Sequence, residues 1–236
     1  MKKKAERPHY NMSQPDLVAA AHEKLLYLRR DLADLASYDV SAARLDGLQR
    51  LTTDFVALPT EDEGVQATAA TTQAKLGARA AALGTMQTIM GKVGLLHHDR
   101  TPQYKAFGTS GLQSASDGDL YLGLVRCVRV GRAGLDTYAV KGLTAGLLDQ
   151  LENENKVLLK QVGEQHDAES RAATATQQRL TAGNALYDEL VQLCEAGKAA
   201  FVQTDAVKHA DYVLYDAPAP AAPPAGKPAP KAAVNG

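Results

Sequence analysis

Leu17, Ala21, Leu25, Leu28, Leu32 and Leu35 step by four, four, three, four and three, which lays them along one stripe of a helix. Ser13 is placed to cap it, Pro15 sits in its first turn, and Asp16 complements the helix dipole there. A second stripe, Leu45, Leu48, Leu51, Phe55 and Leu58, predicts a helix over about 41–58 that Pro59 ends. Thr60-Glu61-Asp62-Glu63 then reads as a capping box opening a third helix, predicted to reach about Val93.

The same arrangement returns about 103 residues further on. Ser13, Asp16, Leu17, Arg29, Leu32 and Ala36 recur as Ser116, Asp119, Leu120, Arg132, Leu135 and Ala139, which makes Leu32 and Leu135 equivalent core positions. Leu45-Asp46-x-Leu48 recurs as Leu148-Asp149-x-Leu151, and Thr72-Gln73-x-Lys75-Leu76 recurs as Thr176-Gln177-x-Arg179-Leu180 after a slip of one residue. Gly131 and Gly134 replace Leu28 and Asp31, a substitution that favours close packing against the second opening helix. Where the first copy has Pro59 the second has only Gly163, a weaker stop, so its second and third helices are either continuous or bent. The third helices, from Val65 to Gly91 and from Ala172 to Ala185, are rich in Ala and Thr, and their small side chains let helix axes approach.

These elements divide the chain into a basic tail (1–14), a first helical repeat (15–96), a crossover (97–115), a second repeat with a C-terminal strap (116–216) and an Ala/Pro tail (217–236). The crossover holds Pro102, Gly108 and Gly111 and is too irregular for a simple turn. Asp211 to Asp216 alternates loosely and is expected as an extended strap on the bundle. The final segment carries six of the ten prolines, offers no core surface, and is expected to be dispensable for folding. Tyr104 and Phe107 in the crossover, and Tyr212 and Tyr215 in the strap, are aromatics outside regular helix; each anchors either its own core or a partner.

Composition narrows the function classes. The 236 residues carry a net charge of −1, so no global field draws in nucleic acid or acidic lipid. Lys2-Lys3-Lys4 is not followed by an apolar run, and no stretch is long and apolar enough for a membrane span. Two cysteines without paired spacing, Cys127 and Cys194, fit a reducing compartment and predict a cytoplasmic protein. No Glu-x-x-His pair is present for a di-iron site. His97-His98-Asp99 reads as a helix C-terminus complement before it reads as a metal site, and nothing basic adjoins Cys194 to activate it. Gly108-Thr109-Ser110-Gly111 has no preceding strand to make it a phosphate loop. Arg171, Arg179 and Asn184 suggest bridging ion pairs with acids such as Glu152 and Glu154, or a polar pocket. No catalytic, cofactor-binding or metal-binding residue is therefore assigned.

The pattern Arg171…Thr176…Arg179…Asn184-x-Leu186-Tyr187…Gly197-Lys198-x-x-Phe201, followed by Tyr212-Val213-Leu214-Tyr215, resembles bacterial helical-bundle proteins of uncharacterised function. Phe107-Gly108-x-x-Gly111-Leu112 with Ser116-Asp117 extends the resemblance, which covers mainly residues 107–215. It implies a bundle fold and brings no activity. The expected architecture is all-α: an elongated antiparallel helical bundle of two tandem three-helix repeats, with a four-helix bundle of long bent rods as the alternative. The expected role is a non-enzymatic structural or protein-interaction bundle with an unidentified protein partner. The alternative is a small-molecule or cofactor-binding bundle with a polar cavity lined by the Ala/Thr-rich helices.

Overall fold

The structure, a computed structural model, describes residues 7–215; the basic tripeptide, Asp216 and the Ala/Pro tail lie outside them. The described residues form α-helices joined by short turns, with no strand among them. In chain order these are α1 (Gln14–Arg30), α2 (Leu32–Leu35), α3 (Ala42–Ala57), α4 (Glu61–Gly94), α5 (Pro102–Ala106), α6 (Asp117–Ala133), α7 (Leu135–Ala139), α8 (Ala145–Phe201) and α9 (Ala206–Asp211). None is long and apolar enough to cross a membrane.

Local chemistry sets these boundaries. Ser13 accepts from the Asp16 N–H at 3.2 Å and donates its hydroxyl to the Asp16 carboxylate at 2.6 Å; Ser116 does the same with Asp119 at 3.1 and 2.8 Å. Thr60 and Glu63 form the full capping box of α4. Asp39 and Gly142, 103 positions apart, both take the left-handed backbone at φ 61° and 80° in the turn before the next helix. Glycine adopts that conformation freely and aspartate is among the few others that tolerate it.

The described residues fall into two compact units, one of residues 7–57 and 180–215, the other of residues 58–179. In the first, Leu17, Leu25, Leu28, Leu45, Leu48 and Phe55 of α1 and α3 bury against Leu186, Leu190, Leu193 and Cys194 of α8. In the second, Leu120, Leu124, Val128, Leu148, Leu151 and Leu158 of α6 and α8 bury against Ala82, Met86, Ile89 and Met90 of α4. Hairpin positions of the two cores correspond at an offset of 103: Leu17 with Leu120, Leu48 with Leu151, Phe55 with Leu158. Third-helix positions correspond at 104: Ala82 with Leu186, Met86 with Leu190, Ile89 with Leu193. The surface clamps correspond as well. Arg29 donates to Asp46 at 3.1 Å and Gln49 at 2.7 Å, and Arg132 to Asp149 at 2.7 Å and Glu152 at 2.6 Å.

The compact units are not the sequence halves, because each core is completed by the third helix of the other half. Six separate helices are not what forms. Gly163 does not break α8, which runs unbroken for 57 residues. A glycine inside a helix costs only about 1 kcal/mol, whereas proline costs about 3, so Pro59 stops its helix and Gly163 does not. The strap is not extended: its first residue, Asp211, ends α9, which Asp205 caps by accepting two backbone N–H groups at 3.0 Å. The crossover likewise contains α5, capped by Thr101.

Leu32 and Leu135 are only partly buried. The helix breaks at Asp31 and at Gly134, with nearly equal backbone angles, and the change of direction carries Leu35 and Tyr138 into the core instead. Gly134 leaves room for the Tyr138 ring, which lies 2.6 Å from where a Cβ would stand, and Gly131 meets Leu148 at 2.7 Å. These glycines therefore accommodate neighbouring side chains. Leu35→Ala should cost about 2–5 kcal/mol by urea denaturation, the usual range for a buried leucine. Leu32→Ala should cost clearly less, and the reverse order would place the break elsewhere.

Candidate functional site

Asp31 is the most buried carboxylate among the described residues, its side chain only 2% exposed at the break between α1 and α2. Burial of an unpaired carboxylate is prohibitive, so its partners define the site. Arg30 donates to both its oxygens at 3.1 and 2.7 Å, Lys208 of α9 approaches at 2.9 Å, and the Tyr212 hydroxyl donates at 2.9 Å. Arg30 also reaches Asp211 at 2.8 Å, and Lys208 reaches Asp34 at 3.2 Å. The Tyr212 ring stacks on Phe201 with centroids 5.9 Å apart and presses on Gly197, while Lys208 lies 4.7 Å from the Phe201 centroid. Together these contacts latch α9 and the strap onto the first unit.

Arg30 first, then Lys208 and Tyr212, hold the Asp31 carboxyl well below the usual carboxylate range, against the opposing effect of burial. Burial and the neighbouring Asp31 push the Tyr212 phenol above its ordinary value. The latch is an ionised, fully hydrogen-bonded group, which is the reverse of a poised general acid or base.

The four aromatics singled out by sequence separate into two pairs. Phe107 and Tyr212 are buried, each just after a short helix, α5 or α9, and each in its own unit's core. Phe107 packs edge-on to Tyr138 at 5.6 Å. Both are thus committed to self-docking. Tyr104 is half-buried against the second core, and Tyr215 is exposed with its hydroxyl donating to Tyr187 at 3.1 Å.

The remaining polar candidates also serve packing. Cys127 and Cys194 are free and buried, and burial pushes both thiols up to about 12. His97 lies edge-on to Tyr138 and His98 beside Asp99 at 2.5 Å; among the described residues no group of three or more His, Cys, Asp or Glu could hold a metal ion. Arg179 donates to the Leu58 carbonyl at 2.7 Å, and Asn184 grips the Arg7 carbonyl and the His9 N–H. The proposed bridges from Arg171 and Arg179 to Glu152 and Glu154 do not form. Glu152 pairs with Arg132 and Lys156, and Glu154 accepts from Gln150; α8 is one unbroken helix, so seventeen or more residues at about 1.5 Å each hold these acids about 25 Å or more from Arg171 and Arg179.

Two grooves open beside the second helix of each hairpin. In the second unit a groove of about 460 Å³ runs between α4 and α8, with Ala78, Ala81 and Gly146 on its floor and Asp149, Gln150, Asn153, Glu154 and Val157 along it. The α8 residues fall at i, i+3, i+4, i+7, i+8 and i+11, one helical face. In the first unit a groove of about 350 Å³ is lined by Gly47, Arg50, Leu51 and Asp54, which correspond to Gln150, Asn153, Glu154 and Val157. No protein-family model, curated protein or solved structure matches the chain.

Sequence reasoning did not single out Asp31 or the grooves. The signal for Asp31 was an acid on an apolar stripe where the copy has glycine; for the grooves it was the second face of α8.

Because the Asp31 pKa is depressed in the folded state, its contribution to stability is present above about pH 4, the unfolded carboxylate value, and is lost as pH falls. Asp31→Asn should lower stability near neutrality and flatten its decline from about pH 5 downward, measured by urea unfolding across pH. Tyr212→Phe should cost about 1–3 kcal/mol, the price of leaving a buried acceptor short of a donor. Both cysteines should resist a thiol reagent at pH 8 in the native protein and react fully in denaturant; fast native labelling would contradict their burial.

Proposed function

We propose that the chain is a non-enzymatic protein-interaction module, built by tandem duplication of a three-helix unit whose third helices have been exchanged between the two cores. The matching caps, left-handed turn residues, arginine clamps and core positions at offsets of 103 and 104 support the duplication. The free, buried thiols are in keeping with a reducing, cytoplasmic setting.

The observation that carries the interaction reading is the groove beside the second helix of each hairpin, at corresponding positions in both units. Each core is three helices thick, and a three-helix core leaves one slot where a fourth helix packs in a bundle. The titratable groups of the latch and the buried thiols are spent on structure, whereas the groove residues Ala81, Asp149, Gln150, Asn153 and Val157 are exposed. A second reading, binding of a small molecule, draws on the size of the α4–α8 groove, which falls within the usual range for ligand sites, and on the Ala-rich floor from α4.

A photo-crosslinking side chain at exposed Asn153, introduced into the full chain in cells, should give discrete protein adducts, and the same side chain at exposed Arg129 on α6 should not. Adducts of small mass alone would favour the small-molecule reading. Equal adducts from both positions, or none from Asn153, would remove the groove as the interaction surface.

A further inference from the structure

The two grooves occupy corresponding places but differ in what lies across them. In the first unit Arg44 of α3 spans the slot. Its guanidinium donates to Glu189 of α8 at 2.7 Å and to Gln192 at 2.8 Å, so one cationic side chain ties the two walls together. In the second unit the position of Arg44 is taken by Leu147, and those of Glu189 and Gln192 by Thr85 and Thr88. The cross-link there is a neutral one, Gln150 to Thr85 at 3.2 Å. No arginine or lysine lines this groove.

The charge left in it is negative. Asp149 is already paired with Arg132. Glu154 accepts one hydrogen bond from Gln150 on Oε1 at 2.8 Å, while its Oε2 is shielded from solvent and has no hydrogen-bond partner. A carboxylate oxygen so placed is costly unless a donor reaches it. The α4 side contributes Ala78 and Ala81, side chains small enough for a helix backbone to approach closely. The α8 wall spans the eleven helical steps from Gly146 to Val157, about 16 Å at about 1.5 Å per step, or three helical turns.

We propose that the α4–α8 groove receives a basic helix of a partner protein, with small residues against Ala78 and Ala81 and a Lys or Arg directed at Glu154. The partner's cation would supply from outside what Arg44 supplies from within in the first unit. The proposal rests on the interaction reading above and names the partner's chemistry. A helix is the occupant that fits a groove lined by one face of α8 over three turns and by small residues of α4, and the charge complementarity sets its sign.

The test is selection of a displayed library of helical peptides on the full chain, with counter-selection on Ala81→Trp. Ala81 is exposed, so the indole fills the groove without repacking the core. The expected outcome is a set of binders sharing a Lys or Arg beside small residues. They should bind Glu154→Gln about tenfold more weakly and bind Glu189→Gln unchanged. Thermal melts of both variants, matched to the parent, exclude unfolding as the cause. Binders that are acidic or uncharged, or that ignore Glu154→Gln, would overturn the proposal while leaving a docking groove. Binders indifferent to Ala81→Trp would also overturn it and point to another surface. Failure of the Asn153 crosslink is the separate result that would remove the interaction reading itself.

Discussion

A helical hairpin cannot bury its own apolar stripe. Two helices in contact leave one side of the seam in water, and the stripes of α1 and α3, or of α6 and the first part of α8, need a third helix to cover them. That need organises this protein. Pro59 and the capping box at Thr60 end α3 and start α4 as a new helix, so the hairpin of the first half is closed by Leu186, Leu190 and Leu193 from α8. The hairpin of the second half is closed by Ala82, Met86 and Ile89 from α4. Neither half of the sequence holds all of either core, which makes the folding of each unit depend on residues distant along the chain.

The latch at Asp31 shows how one substitution between matching sites redirects local chemistry. In the second unit Gly134 stands at the helix break and the Tyr138 ring fills the space beside it. In the first unit the break carries a buried carboxylate, and burial obliges the structure to surround it with Arg30, Lys208 and the Tyr212 hydroxyl. Two of those three partners come from α9 and the residue after it. The acid therefore determines how the C-terminal end of the described chain is held, and Gly197 provides the flat place on α8 where the Tyr212 ring rests. Phe107 does comparable work after α5 through packing alone, with no charge to satisfy.

Much of this was legible beforehand. The stripes, Ser13 and Ser116 caps, Thr60 box and Pro59 stop are local features whose energetics involve residues within a few positions, so the helices of both hairpins could be placed from the chain. The misreadings share a cause: each required knowing what lay across from a residue. Leu32 and Leu135 continue the stripe on paper, but the helix turns at the preceding position. Gly163 left a continuous and a bent helix both open, and α8 runs through it unbroken. The strap's alternation suggested an extended segment, where the chain in fact turns after α9 and Tyr212 folds in to stack on Phe201 and reach Asp31.

The sequence by itself determined that the chain is helical, where most helices begin, and that two sets of matching positions lie about 103 residues apart, because capping, proline stops and hydrophobic periodicity act over one or two turns. Only the tertiary structure decided which third helix closes which hairpin, since the apolar faces of α4 and of the end of α8 match either partner by pattern. It also decided that Asp31, Tyr212 and Lys208 meet, and that the face of α8 from Gly146 to Val157 lines a groove. Those outcomes depend on which surfaces come together in space, and periodicity alone says that a face is apolar or polar without saying what it will meet.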